Sequence, residues 1–209
     1  MKKLCMLFAA IMTVVTIILC SCGTDAMSGV SERRSGYFTG AAGGYTVTAV
    51  SGVREEHFAA DGNAGKLKEY TLITLVPDKF DIDAVITYSV NADGRDFGGT
   101  MIVHPFAASF SAEYDHETKS EFTVAVSCGG GTVSIPLKSQ LTPDMITYDR
   151  AVSAAKSALN PRGQYEIRVR IISNPLSADG VCWHVAFISS DSETGVLLDP
   201  VTAKVLAKK

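Results

Sequence analysis

Three observations predict a chain of mixed β and α+β class. Apolar residues alternate at period two through most of 44–138, an alanine-rich helical stripe occupies 149–159, and strict alternation returns after Tyr165. Turn residues punctuate these stretches at short intervals, so the strands are short and their connections tight.

The first strand signal is Tyr45-Val47-Ala49 against Thr46-Thr48-Val50. Tyr70 to Val76 is β-branched and apolar and stops at Pro77-Asp78. Asp83 to Val90 alternates again, and Asn91-Ala92-Asp93-Gly94-Arg95 supplies a turn that admits positive φ before Gly99 to His104 returns. Phe106, Ala108, Phe110 and Ala112 fall at period two. Phe122, Val124 and Val126 face one way before the Gly129-Gly130-Gly131 turn, and Val133, Ile135 and Leu137 answer. Seven short strands without a long helix over 44–138 predict an immunoglobulin-like β-sandwich, with an open barrel-like meander as the alternative. The Cys–Trp–Cys pattern of antibody domains is absent, so only the architecture is implied.

Residues 139–209 change character. Val152, Ala155 and Leu159 share one helical stripe, Thr147 is positioned as its N-cap, and Asn160-Pro161-Arg162-Gly163 ends it. Tyr165 to Ile171 alternates, Ala178-Asp179-Gly180 turns the chain back into Val181, Trp183, Val185 and Phe187, and Glu193-Thr194-Gly195 turns it again. Val196 to Asp199 and Lys204 to Leu206 then flank a Pro200-Val201-Thr202-Ala203 turn. A helix with an antiparallel sheet laid on it makes a small α+β module.

The N-terminus has another origin. Lys2 and Lys3 precede an apolar run from Leu4 to Cys20, which closes in Leu19-Cys20-Ser21-Cys22. A positive region, an apolar core and small residues before a cysteine form a secretory leader. The ending resembles the lipobox of bacterial lipoproteins, with Leu19 at −3, Ser21 at −1 and Cys22 as the residue that takes diacylglycerol after cleavage. Cys20 is the rival acceptor, but bulky Leu19 occupies its −1 position. An uncleaved anchor is the other reading, although 17 residues sit at the short edge of a membrane span. Residues 1–21 are therefore expected to be a lipoprotein signal peptide and 22–43, rich in Gly, Ser, Ala and Thr, a flexible tether.

Removing the leader leaves 188 residues, enough for one domain or two small ones, with 17 basic against 22 acidic residues. That balance, without a basic patch, argues against nucleic-acid binding. Cys128 and Cys182 are the cysteines left after the leader and Cys22, and outside the cytoplasm they could pair, although two small buried hydrophobes is the favoured reading.

No residue constellation here carries catalytic, cofactor or metal chemistry. Cys182 and His184 share a strand face and invite a thiolate reading, but lie about 7 Å apart by pleat geometry. Asp115-His116-Glu117 reads as a polar turn, and Glu55-Glu56-His57 lacks the helix that would place two ligands on one face. Asp78, Asp81 and Asp83 miss the spacing of a calcium loop, and alternation explains Asp81 and Asp83 as a solvated face.

The Ala-rich helix, the strand Tyr165-Glu166-Ile167-Arg168-Val169, the second strand with Trp183-His184-Val185 and the run from Gly195 to Leu206 together resemble one repeat of the PepSY domain family. Asp199, Thr202, Val205 and Leu206 fit its V-x-x-D-x-x-T-G-x-V/L ending, with Ala203 where glycine is usual. The resemblance covers about 65 residues and implies a non-catalytic module that binds or restrains peptidases at the cell surface. The expectation is a lipid-anchored extracytoplasmic accessory lipoprotein of the bacterial envelope, held to the membrane through Cys22 and binding a protein or peptide partner. A small hydrolase using Cys182 and His184, or a spacer without a ligand, are the alternatives.

Overall fold

The computed structural model describes residues 28–57, 59–177 and 180–209. The leader, the lipidation site Cys22 and Ala178-Asp179 of one expected turn lie outside the described residues. Among the described residues, thirteen strands and one helix follow in the order β1 (Val30–Ala42), β2 (Tyr45–Glu55), β3 (Leu67–Pro77), β4 (Thr87–Ala92), β5 (Arg95–Thr100), β6 (Ile102–Val103), β7 (Phe110–Tyr114), β8 (Phe122–Cys128), β9 (Gly131–Ser139), α1 (Tyr148–Leu159), β10 (Glu166–Ser173), β11 (Val181–Ile188), β12 (Glu193–Leu198) and β13 (Val205–Lys208).

All thirteen strands belong to one sheet system, and this corrects the expected fold class. The main path runs β13-β12-β11-β10-β1-β2-β3-β7-β6, and from β1 a second path leads through β9, β8 and β4 to β5. The two paths nearly meet, because β5 continues into β6 across Met101, whose N–H donates to the Ile86 carbonyl at 2.9 Å. The result is a barrel-like sheet, antiparallel throughout except where β1 meets β10. A sandwich keeps its two sheets apart. Here β1 carries neighbours on both edges, and the β5–β6 strand passes from β4 to β7. The interior is filled by the alternating residues read from sequence, among them Val47, Leu75, Val90, Phe110, Val124 and Ile135.

The separate helix-plus-sheet PepSY-like module expected over 139–209 does not form. Its four strands continue through the parallel ladder Val30↔Ile167 to Arg34↔Arg170 into β1, and so into the barrel. Helix α1 covers one face of this extension, where Val30, Val152, Ala155, Ile167, Trp183 and Leu198 form a second core. Trp183 Nε1 donates to the Ile146 carbonyl at 3.2 Å, which satisfies its polar edge. Thr147 stands at the N-cap without a side-chain capping bond, and Asn160 ends the helix in the left-handed region at φ 47°.

Most of the expected tether is strand. Residues 30–42 form β1, the one element shared by both cores. Its small residues serve close packing rather than flexibility. A Cβ on Gly40 would lie 2.2 Å from the Pro136 carbonyl oxygen of β9. On the other side, a Cβ on Gly52 of β2 would lie 1.9 Å from the Arg33 carbonyl oxygen, beside the bulge between Arg34 and Gly36. The expected turns do form: Asp93 and Gly94 take φ of 50° and 79°, and Gly129 and Gly130 take 57° and 83°.

Candidate functional site

The parallel contact of β1 with β10 brings together charges that are distant in sequence. On the sheet face away from α1, Glu32 of β1 accepts hydrogen bonds from Arg170 Nε at 2.7 Å and from Arg170 Nη2. Arg34 Nη2 and the Tyr70 hydroxyl donate to its other oxygen at 3.2 and 2.9 Å. Arg34 Nε also donates to the Tyr70 hydroxyl at 3.2 Å, and the Arg54 guanidinium lies 4.6 Å from the Tyr70 ring centroid. Arg54 in turn reaches Glu113 of β7 at 2.5 Å. Burial pushes the Glu32 carboxyl up, but Arg170, Arg34 and the Tyr70 hydroxyl outweigh it and hold it below the usual carboxylate range. Burial, reinforced by Glu32, pushes the Tyr70 hydroxyl up to about 12. Arg34, Arg54, Arg168 and Arg170 line a cavity of about 350 Å³ together with Glu32 and Glu55.

This charged cleft continues into an apolar seat on the same face. Directly paired residues point to one side of a sheet. The register runs Arg34↔Arg170, Arg170↔His184, His184↔Leu197 and Leu197↔Ala207 across β1, β10, β11, β12 and β13. Ile172, His184, Gly195, Leu197, Ala207 and Lys208 line a second cavity of about 290 Å³. His184 stands where the two meet. Burial first, then Arg170 and Lys209, press its imidazole toward the neutral form, against Glu193 and Glu32. Gly195 makes this packing feasible, since a Cβ there would lie 3.1 Å from His184 Nε2.

A pair of acids lies at the other end of the cleft. Glu55 accepts from the Gly65 N–H, and Glu166 accepts from Arg168 at 3.2 Å. Each keeps a buried second oxygen with no hydrogen-bond partner. Burial, then the neighbouring Glu55, push the Glu166 carboxyl up against the pull of Arg168.

The other sequence candidates separate. Cys182 shares the β11 face with His184 but is fully buried, and burial pushes its thiol up to about 11. It therefore offers no thiolate at neutral pH. Cys128 and Cys182 are both free thiols, so the disulfide does not form. His57 and His104 are exposed, and Glu56 pairs with Lys66 at 3.0 Å. Asp81 caps the backbone N–H of Asp83 at 3.0 Å within an exposed turn. Among the described residues, no three His, Cys, Asp or Glu side chains gather to hold a metal. No helix among them is long and apolar enough to cross a membrane.

Asp115-His116-Glu117 is more than a polar turn. His116 stacks on Phe97 with ring centroids 5.8 Å apart and reaches Glu69 and Asp93 at 3.3 and 3.2 Å. Glu117 is buried, and it binds Arg33 and the Ser35 hydroxyl of β1. Arg33 lies in turn 5.1 Å from the Tyr148 ring centroid of α1. These residues lock the β7–β8 loop, β1 and α1 together.

The arginine cleft is the site that sequence reading missed. Its signal is present in Arg168 and Arg170, which alternate with Ile167, Val169 and Ile171, and in Glu32-Arg33-Arg34. The second segment carries meaning only once it is recognised as a strand. Comparison with known families, curated proteins and solved structures finds no match to this chain.

Proposed function

We propose that this chain is a non-catalytic binding lipoprotein of the bacterial cell envelope, anchored outside the cytoplasm by diacylglycerol on Cys22. A protein or peptide partner docks on the open face of its sheet. The anchor rests on the leader ending in Leu19-Cys20-Ser21-Cys22. Two acyl chains, at about 0.8 kcal/mol per buried CH₂, hold a protein stably at a bilayer.

The observation that carries the binding role is the placement of the apolar seat beside β13, the strand that ends the sheet path, with the arginine cleft farther along the same face. An edge strand offers unpaired backbone groups to an extended segment, and the adjoining seat takes a side chain. Two experiments test the reading. Metabolic labelling with an alkyne fatty acid should mark the wild type and the Cys20→Ala form but not Cys22→Ala, which should leave the membrane fraction. A photo-crosslinking residue at Ala207 should capture a neighbour that an unrelated lipid-tethered control does not. Equal capture by both would remove the binding role.

A further inference from the structure

The barrel has an apolar exterior at the end that β1 reaches at Ala42, opposite its start at Val30. Of the ten exposed large hydrophobic side chains among the described residues, six lie there: Val76, Phe80, Ile82, Val85, Ile102 and Phe106. They sit on β3, on β6 and on two connections, residues 78–86 and 104–109. The Phe80 ring packs on Phe110 with centroids 5.5 Å apart, and the Met101 N–H bonds the Ile86 carbonyl, which draws these segments together. Ile86 and Met101 point into the core, so Val85 and Ile102, one position farther along the same register, point outward side by side. Phe106 is 94% exposed in its loop. Apolar surface gathered in this way marks a docking site. It shares no residue with the seat beside β13.

The charges around it are unbalanced. Asp81 and Asp83 bracket Ile82, Asp78 and Lys79 precede Phe80, and His104 opens the second loop. Asp81 caps the Asp83 N–H at 3.0 Å, and among the described residues none of the three aspartates forms an ion pair. The β1–β2 turn, whose Gly44 carbonyl accepts from the Asp78 N–H at 2.8 Å, brings no charge, nor does the β8–β9 turn at Gly129-Gly130. Farther along the outer wall, Glu113 is already held by Arg54. Three aspartates therefore stand against one lysine.

We infer that this end docks on a basic protein surface, seating Phe106 and Ile82 in an apolar recess and pairing Asp78, Asp81 and Asp83 with lysine or arginine side chains. The unanswered carboxylates select that occupant. A bilayer fits poorly, because burying Ile82 would draw Asp81 and Asp83 out of water with it. A second copy fits poorly too, since a twofold contact sets the same acids against each other. Tether length adds a further argument, which rests on the anchor at Cys22 proposed above. The eight steps from Cys22 to Val30 reach at most about 29 Å. Strand β1, with 13 residues, carries the chain about 40 Å from Val30 to the apolar end. The anchored chain therefore cannot stand on this end against its own membrane.

The test places a benzophenone photo-crosslinker at position 106 of the full chain on intact cells, with adducts sized and identified by mass spectrometry. The expected adduct joins this chain to a different protein. At limiting occupancy its yield should fall about fivefold when Asp81→Asn and Asp83→Asn are combined, as loss of two exposed charge pairs implies. On isolated envelopes the yield should also fall as salt is raised. Asparagine keeps an oxygen for the Asp81 cap, and all three positions are exposed, so the fold is spared. Glu193→Gln, an exposed acid on β12, should leave the yield unchanged and controls for general attraction to an acidic chain. An adduct to lipid overturns the inference in favour of the bilayer, and one of twice the chain's mass in favour of a second copy. No adduct overturns it outright. A protein adduct insensitive to the aspartates and to salt overturns the basic partner. The Ala207 crosslink and the Cys22 labelling report separately on the β13 site and the anchor, so failure here and failure there are distinguishable.

Discussion

Arg33 on β1 donates through Nη2 to both carboxylate oxygens of Glu117, at 2.8 and 2.7 Å, across 84 residues of sequence. The pair is largely shielded, with side chains 19% and 8% exposed, and the guanidinium also faces the Tyr148 ring. It therefore ties the barrel loop to the helix through one strand.

Removing one member leaves the other charge buried without its partner. Arg33→Ala or Glu117→Gln should cost about 2–3 kcal/mol of folding stability. Urea denaturation should show a lower midpoint with an unchanged slope. Replacing both residues together should cost less than the two single effects added, because neither charge is then stranded.

The acids of the cleft make opposite contributions to pH dependence. Glu32 has a folded pKa below its unfolded value, so the unfolded chain binds more protons in that window and stability falls as pH drops through it. Glu166 has a raised folded pKa, so the native chain binds more protons there and stability falls as pH rises from the ordinary carboxylate range to the folded value. Glu32→Gln should lower the melting temperature at neutral pH, with the difference shrinking in acid. Glu166→Gln should raise it at mildly alkaline pH and have little effect in acid. Thermal melts across the acid-to-alkaline range check both signs.

Two backbone approaches admit only glycine. Gly40→Ala and Gly52→Ala each set a methyl group within 2.2 Å of a carbonyl oxygen in a neighbouring strand. Each should cost about 3 kcal/mol, because a ladder must separate to make room. Gly94→Ala meets no atom within 4 Å and tests only the backbone, whose φ is 79°. Its cost should be about 1 kcal/mol. Chemical denaturation of the three variants side by side separates steric from conformational cost.

Thiol chemistry distinguishes the two free cysteines. Cys182 is fully buried with its thiol pushed up to about 11, while Cys128 is half-buried at the end of β8. Brief iodoacetamide treatment of the folded chain should label Cys128 first, and Cys182 should react only in denaturant. Peptide mass spectrometry reads the order directly.

Much of this architecture is legible in the sequence where one face is water and the other core. Phe122, Val124 and Val126 against Val133, Ile135 and Leu137 announce their hairpin, and all but the half-buried Val133 lie in the barrel core. Val152 and Ala155 place the buried stripe of α1 correctly. The alternation cannot show whether strands close into a barrel, because that depends on which ladders share β1 and on the passage through Met101. β1 itself is hidden. Ser31, Glu32, Arg33 and Arg34 look like solvated chain, and Arg170, which justifies burying Glu32, is 138 residues away. The cleft inherits the same obscurity, since its lining comes from a strand that composition disguises as linker.

One consequence of β1 concerns the order of events during synthesis. It is the first described strand to leave the ribosome, yet one of its edges is completed by β10, whose residues follow well over a hundred positions later. The helix-covered core cannot close until then, while β2 is available at once. Assembly is therefore dominated by distant pairings and is slow for a chain of this size. Until β10 arrives, the charged flank of β1 has only water for a partner on that edge.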